Sequence, residues 1–358
     1  MPLEYYPPVT NFLDIITMHS FDVKVWSSHN INNRAVYFNE KLKDINRSVF
    51  PNKEDSLLSR FFKYCIFNLS CFIGLVIYRP KVIFYYESYS VYPVYLYMKF
   101  FGKATKLYIH YHEYEDQENY KNGMKLVRYY HELEKKFLYK RASWISQTNK
   151  DRLHMFASDH PKLPSGILKV VPNYPPQDWL RHTNLIKPDG HTVIKTVYVG
   201  SLSLKDTFIK EYCDWVLKQN GKVYFHIYAY NLHDDTIDYL KSLNTDYIVF
   251  YTKGVEYNKM PTLLADYDIG LILYKANTKN YKYNAPNKLF EYLVCGLKVF
   301  YPDVMLGIKP YLTENIIPLN FKNMTSIDAL VPNFKTSVAS ATNYTAEDAF
   351  KELLHELQ

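Results

Sequence analysis

Three polar residues on one short stretch carry the most chemistry in this sequence: Asn287, Lys288 and Glu291, in the run Ala285-Pro286-Asn287-Lys288-Leu289-Phe290-Glu291-Tyr292-Leu293-Val294-Cys295-Gly296. If the run is helical, the three fall at i, i+1 and i+4 and share one face, while Leu289, Phe290 and Leu293 turn to a core. Pro286 suits the first helical position and Gly296 a left-handed stop, and Val299-Phe300-Tyr301 beyond is extended. The free N–H groups of the first turn and the helix dipole attract a diphosphate, to which Lys288 adds a formal positive charge. Glu291, one turn further in, can accept hydrogen bonds from both hydroxyls of a ribose diol. Periodicity alone favours a plainer alternative, an amphipathic helix whose Lys and Glu are merely solvated.

The elements that must position these residues alternate. Strands are predicted over Asp22 to Ser27, Val82 to Tyr86, Leu107 to His112 and Trp144 to Gln147. Helices are predicted over Leu57 to Ile77, Val91 to Phe101 and Met124 to Tyr139. Pro172, Pro175, Pro176 and Pro188 then punctuate a stretch of weak periodicity. Beyond it, Thr196 to Val199, Tyr224 to Tyr228, Ile248 to Tyr251, Ile269 to Leu273 and Lys298 to Tyr301 read as strands with helices between. Thr345 and Asp348 open a last helix as a capping box. Alternation of this kind means parallel sheets, and 358 residues suit two α/β domains of ordinary size.

On these residues the chain resembles the family 4 glycosyltransferases, retaining enzymes with two Rossmann-like domains facing each other across a cleft, the GT-B fold. Pro286 to Val299 is similar to that family's Pro-Asn-Lys-Leu-x-Glu-Tyr signature. The likeness continues in order through Pro80 to Glu87, Lys106 to Glu113, Ala142 to Thr148, Val170 to Asn173, Val197 to Leu202 and Asp266 to Leu271. The resemblance implies a first Rossmann-like, acceptor-binding domain over 1–172, a linker over 173–192, and a nucleotide-sugar donor domain over 193–335. It also implies a C-terminal helix, 336–358, returning to the first domain. The reaction implied is transfer of a sugar from a nucleotide-diphosphate-sugar donor to a glycan or lipid-linked acceptor with retention, in cell-surface polysaccharide synthesis, without metal or cofactor. Gly200, Ser201, Lys205, Asn287 and Lys288 would hold the donor diphosphate, Glu291 and Gly254 the ribose or base, and Tyr283 the donor sugar. Glu87 and Glu113 would meet the acceptor, and His112 with Glu291 would be catalytic. The chain departs from the pattern at Ser201, where the family often has Arg, and at Tyr283, where it frequently has Glu. In place of a glycine-rich first loop stands Tyr5-Tyr6-Pro7-Pro8-Val9-Thr10, and the first strand looks missing or truncated.

Charge and composition bound the partners. Residues 1–172 hold 24 Lys and Arg against 16 Asp and Glu, whereas residues 173–358 hold 19 against 20. The excess positive charge therefore belongs to the first half, which suits an anionic membrane surface or a phosphorylated acceptor. Tyrosines from Tyr85 to Tyr97 beside Lys99, Phe100, Phe101 and Lys103 form an interfacial mixture there, unless most of them are core. Tyr64 to Tyr78 is uncharged but short for a bilayer and reads as a buried helix. No signal peptide is recognised at the start, and the four cysteines show neither metal spacing nor a secreted disulfide pattern, so the expected location is cytoplasmic, peripheral at the inner face of the membrane. No phosphate-tracking motif speaks for nucleic acid. His110-Tyr111-His112 pairs two imidazoles as some metallohydrolases do, but Tyr114 stands where an acid is needed. A catalytically silent scaffold of the same fold is the remaining alternative.

Overall fold

The structure, a computed structural model, describes residues 2–29, 35–42, 44–52, 54–182, 193–230, 232–243, 245–331 and 343–358. The chain divides into two compact units, Met1–Asn173 with Ala349–Gln358, and Tyr174–Asp348. Of the expected linker, residues 183–192 lie outside the described residues, as do residues 332–342, where the expected C-terminal segment begins. The described start of that linker is anchored: Gln177–His182 is a short 3-10 helix whose Trp179 is buried in the second unit against Tyr257.

In the first unit, β1 (Lys24–Ser28) and β2 (Asp44–Ser48) form a parallel pair. A separate four-stranded parallel sheet holds β3 (Val82–Tyr86), β4 (Lys106–Tyr111), β5 (Ala142–Gln147) and β6 (Leu168–Val170) in that order. The polar run of β2 carries no alternation, which is why the sequence does not announce it. Pro7 and Pro8 occupy the first turn of helix Pro7–Ile16, where their missing N–H groups cost nothing. Val9 and Leu13 of this helix pack with Val25 of β1 and Tyr86 of β3, while Phe12 meets Phe84, so helix rather than strand fills the ground beside both sheets. Helix Ala346–Leu357, capped by Thr345 through Asp348, returns to this unit: Phe350 packs on Phe12, and Lys169 pairs with Glu352 at 2.7 Å.

The second unit has one six-stranded parallel sheet: β7 (Ile194–Val199), β8 (Val223–Tyr228), β9 (Ile248–Tyr251), β10 (Ile269–Leu271), β11 (Lys298–Pro302) and β12 (Ile316–Leu319). Their order, β12-β11-β10-β7-β8-β9, is that of a doubly wound Rossmann sheet. The direction of winding reverses between β7 and β10, so ligands are expected beyond the carboxyl ends of those two strands.

The first unit overturns one sequence expectation and decides between two readings that the sequence leaves open. Helix Leu57–Tyr78 is not buried as a whole: Cys71 and Leu75 are buried and Phe72 and Val76 pack partly on the core, while Leu58, Phe62, Ile66, Leu69, Ile73 and Ile77 are exposed. Conversely, the tyrosine cluster is mostly interior, with Tyr85 and Tyr97 in the core and Tyr86, Tyr92 and Tyr95 half-buried. An uncharged, mostly apolar run such as Tyr64 to Tyr78 reads as buried from sequence, but one lying on an α/β layer is covered on a single face.

Candidate functional site

The donor-type site is built where β7, β10 and helix Asn287–Val294 meet. Pro286 is the residue before the helix rather than its first position, one residue short of expectation, and no side chain caps the terminus. The N–H groups of Asn287 and Lys288 donate to no described residue, while Leu289 N already bonds Pro286 O at 2.9 Å. Gly296 closes the helix at φ 73°, with Leu297 N bonding back to Tyr292 O at 2.9 Å, as the sequence predicts. The helix is fixed on the sheet by Tyr292. Its hydroxyl accepts from Val199 N at 3.2 Å, and its ring covers Gly270, where a Cβ would stand 2.2 Å from the ring. A glycine inside a strand is the sequence signal of such a close approach.

Lys288 reaches from this helix to the turn after β7. A Cβ on Gly200 would lie 2.7 Å from Lys288 Nζ, the movable tip of that side chain, and Gly200 itself sits at φ 138°, so it is the backbone conformation that calls for glycine. The ammonium donates to Tyr274 Oη at 2.9 Å and lies 5.2 Å from the ring centroids of both Tyr198 and Tyr274. Among the described residues no carboxylate pairs with it. Burial works against its charge, but the surrounding tyrosine oxygens outweigh that and raise its pKa above that of a free lysine. Tyr198 in turn donates to Ser201 O at 2.6 Å, which fixes the turn from which the Ser201 side chain is exposed. Neither Tyr198 nor Tyr274 stands out in the sequence, because only the fold brings them to Lys288.

Glu291 is buried and accepts no hydrogen bond from the described residues. Burial lifts its pKa to about 7, with the Lys288 ammonium pulling the other way. A carboxylate so placed gains most from a ligand that brings its own donors, as a diol does. A pH dependence follows. Ionised Glu291 is the better acceptor, so affinity for a nucleotide sugar, whose diphosphate does not titrate near neutrality, should rise as pH passes from 6 through about 7 to 8. Calorimetric titration across that range should show the rise in wild type and a flat profile in Glu291→Gln. A wild-type profile equally flat would remove Glu291 from the ligand.

The other predicted donor residues are less closely joined. Lys205 is exposed and bonds to no described residue, so the structure does not bring it to Lys288. The loop that carries it is pinned by Lys275, which donates to Leu204 O at 2.8 Å. Tyr283 follows helix Lys279–Lys282, and its main chain passes Gly307 so closely that a Cβ there would meet it at 2.4 Å. Gly254 has φ 63°, and a Cβ there would stand 2.3 Å from the Tyr230 ring, so the position has no room for a side chain.

In the first unit the predicted residues form a second cluster. Glu87 follows β3 at φ 62°, ψ 155°, a region non-glycine residues occupy only under constraint. Its Oε1 accepts from His112 N at 2.7 Å and Glu113 N at 3.4 Å. Burial, with Glu113 nearby, pushes its pKa to about 8 against those bonds. His112, just past β4, is buried. Its ring is stacked between Tyr6 and Tyr86 at 5.6 and 5.3 Å, Nδ1 lies 3.3 Å from Asn173 Oδ1, and Nε2 is buried without a partner. Burial pushes its pKa down to about 4, so the imidazole is neutral at physiological pH. His110 packs against it at 4.7 Å and bonds Ser146 Oγ at 2.8 Å, yet no group of three or more His, Cys, Asp or Glu able to hold a metal occurs among the described residues. Asp268, just before β10, accepts from Lys195 N at 2.8 Å, a bond between neighbouring strand ends.

Sequence reasoning missed Glu134 altogether. It is fully buried and accepts from Tyr85 and Tyr111 on one oxygen at 2.9 and 2.7 Å, and from Ser88 on the other at 2.8 Å, with His131 Nδ1 at 3.1 Å. His131 lies one helical turn before it, but Tyr85 with Ser88 and Tyr111 come from two distant stretches of chain that no local spacing ties to Glu134.

No family model matches the chain, and no curated protein matches its sequence. Solved structures do match in shape. HepE from Anabaena, in complex with UDP and glucose, aligns at TM-score 0.61 with 12% identity over 89% of this chain and 87% of that one. A glycosyltransferase from Rickettsia africae aligns at 0.61 with 10% identity over 87% and 84%. The chain has the GT-B fold. UDP-GlcNAc 2-epimerase from Neisseria meningitidis, bound to UDP-GlcNAc, also aligns, at 0.53 with 13% identity over 88% and 85%. At these identities the likeness establishes the GT-B architecture, and the chemistry must be argued from the site.

Proposed function

We propose that this chain is a glycosyltransferase that uses a nucleoside-diphosphate sugar. The observation that carries the reading is the Lys288 ammonium, caged by Tyr198 and Tyr274 against Gly200, unpaired with any described acid and next to the open first turn of Asn287–Val294. Such a charge, already in place, can meet a diphosphate without reorganising. It lies at the switch point of a Rossmann sheet, and Glu291 stands one turn behind it. The fold neighbours support the ligand class: one holds UDP and glucose, another UDP-GlcNAc.

In the proposed reaction the bond from the anomeric carbon to the diphosphate oxygen breaks, and its electron pair leaves on the nucleoside diphosphate. The acceptor hydroxyl forms the new glycosidic bond and gives its proton to the departing diphosphate. Asn287 N–H, Lys288 N–H and the Lys288 ammonium stabilise the charge that develops on the departing diphosphate, and the exposed Lys205 keeps a second ammonium on the loop after Gly200. We assign retention at the anomeric carbon, a glycan or lipid-linked acceptor on the cytoplasmic side of a membrane, and a role in surface-polysaccharide synthesis to the same reading. The test is incubation with a panel of nucleotide sugars and lipid-linked or glycan acceptors, with the product's anomeric configuration read by NMR. Sugar transfer with retention is the expected result. Tight nucleotide-sugar binding with no turnover on any acceptor would assign a silent scaffold, and epimerised free donor an epimerase; either overturns the proposal.

A further inference from the structure

The uncovered face of helix Leu57–Tyr78 is the feature of the molecule that the donor site leaves unused. Leu58, Phe62, Ile66, Leu69, Ile73 and Ile77 repeat at spacings of four and three, which lays them in one stripe, and each is between 47% and 77% exposed. The opposite face is engaged: Cys71 and Leu75 are buried, Gly74 lies against the Trp26 ring, and Asn68 donates to Tyr130 Oη at 3.1 Å. The helix is long and apolar enough to cross a membrane, but a helix docked along its own unit in this way lies on a surface instead. At its far end Phe72 meets Phe101 at 6.2 Å, and Phe100 and Phe101 continue the apolar surface beside the exposed Lys99 and Lys103.

We propose that this face is a docking surface for an anionic bilayer, with the stripe entering the headgroup boundary and the lysines meeting lipid phosphates. Charge decides between occupants. From Ser56 to His112 the chain carries seven Lys and Arg and a single acid, Glu87; the helix itself has Arg60 and Lys63 but no carboxylate, and of these two Lys63 is answered by Asp55 just before the helix, at 2.7 Å. A second copy of the same face would set Arg60, Lys99 and Lys103, none of which pairs with a described acid, against their own copies, whereas anionic lipid gains about 1 kcal/mol for each basic residue at its surface. The proposal deepens the reading of the chain as a transferase for a membrane-borne acceptor, yet it rests on this helix and not on the donor site.

Co-sedimentation of the full chain with phosphatidylcholine vesicles containing about one third phosphatidylglycerol tests it. Wild type should bind these vesicles, prefer them to neutral ones, and lose binding as salt shortens the Debye length. The double change Ile66→Glu with Leu69→Glu places two charges on exposed positions and should weaken binding about tenfold or more. Lys99→Glu with Lys103→Glu should weaken it by removing charge alone. Titration of each variant with UDP should give wild-type affinity, which shows that the fold is intact and keeps this test separate from that of the donor site. Vesicle binding that is absent, or indifferent to both double changes, would overturn the proposal. So would a dimer in solution that the Ile66/Leu69 change converts to monomer while vesicles bind neither form.

Discussion

Lys288→Met should weaken binding of a nucleotide sugar about ten- to hundred-and-fifty-fold, the equivalent of roughly 1.5–3 kcal/mol for a hydrogen bond to a charged group. Methionine keeps an apolar stem between Tyr198 and Tyr274 and removes only the ammonium, so the melting temperature should hardly move. The control is the nucleoside without phosphate, whose affinity should be the same in variant and wild type. An equal loss for both ligands would mean that Lys288 supports the shape of the site and does not bind the diphosphate. If catalysis uses the same charge more strongly in the transition state, kcat/KM should fall further than donor affinity.

Glu134→Leu should be the most destabilising single change in the first unit, costing about 3–5 kcal/mol, because it leaves buried donors from Tyr85, Tyr111 and Ser88 without their acceptor. That is a large part of the stability of an ordinary domain, so the variant should lose a distinct step from the thermal or urea unfolding profile. Glu134→Gln keeps an acceptor oxygen and should fall well short of that cost. The carboxylate ties β3, β4, the turn at Ser88 and the segment Glu134–Leu138, which shifts into a π-helical turn at this residue. Comparable unfolding profiles for Leu and Gln variants would show that the hydroxyls find other partners and that the hub is not structural.

Periodicity and punctuation in the sequence locate much of this architecture. The segment Asn287–Val294 is legible because proline, an apolar face and Gly296 all agree, and Gly200 because a glycine directly after a strand has few other uses. The cage around Lys288 is not legible: Tyr198, Tyr274 and Lys288 belong to three elements that only the strand order brings together. His112 shows the same limit in the other direction. Its place after a strand is plain, but the rings that close over it come from Tyr6 and Tyr86, and tyrosine is so common in this chain that neither could be singled out. The exposure of Leu57–Tyr78 is not legible either, because apolarity says what a face would prefer to touch, not whether the fold supplies a cover.

The most direct test of the donor site is a crystal structure of the intact chain with UDP. The diphosphate should lie on the open turn at Asn287 and Lys288, within hydrogen-bond reach of both N–H groups and of Lys288 Nζ, with the ribose diol on Glu291. UDP bound elsewhere, or on the same helix with its phosphates turned away from Lys288, would contradict the account.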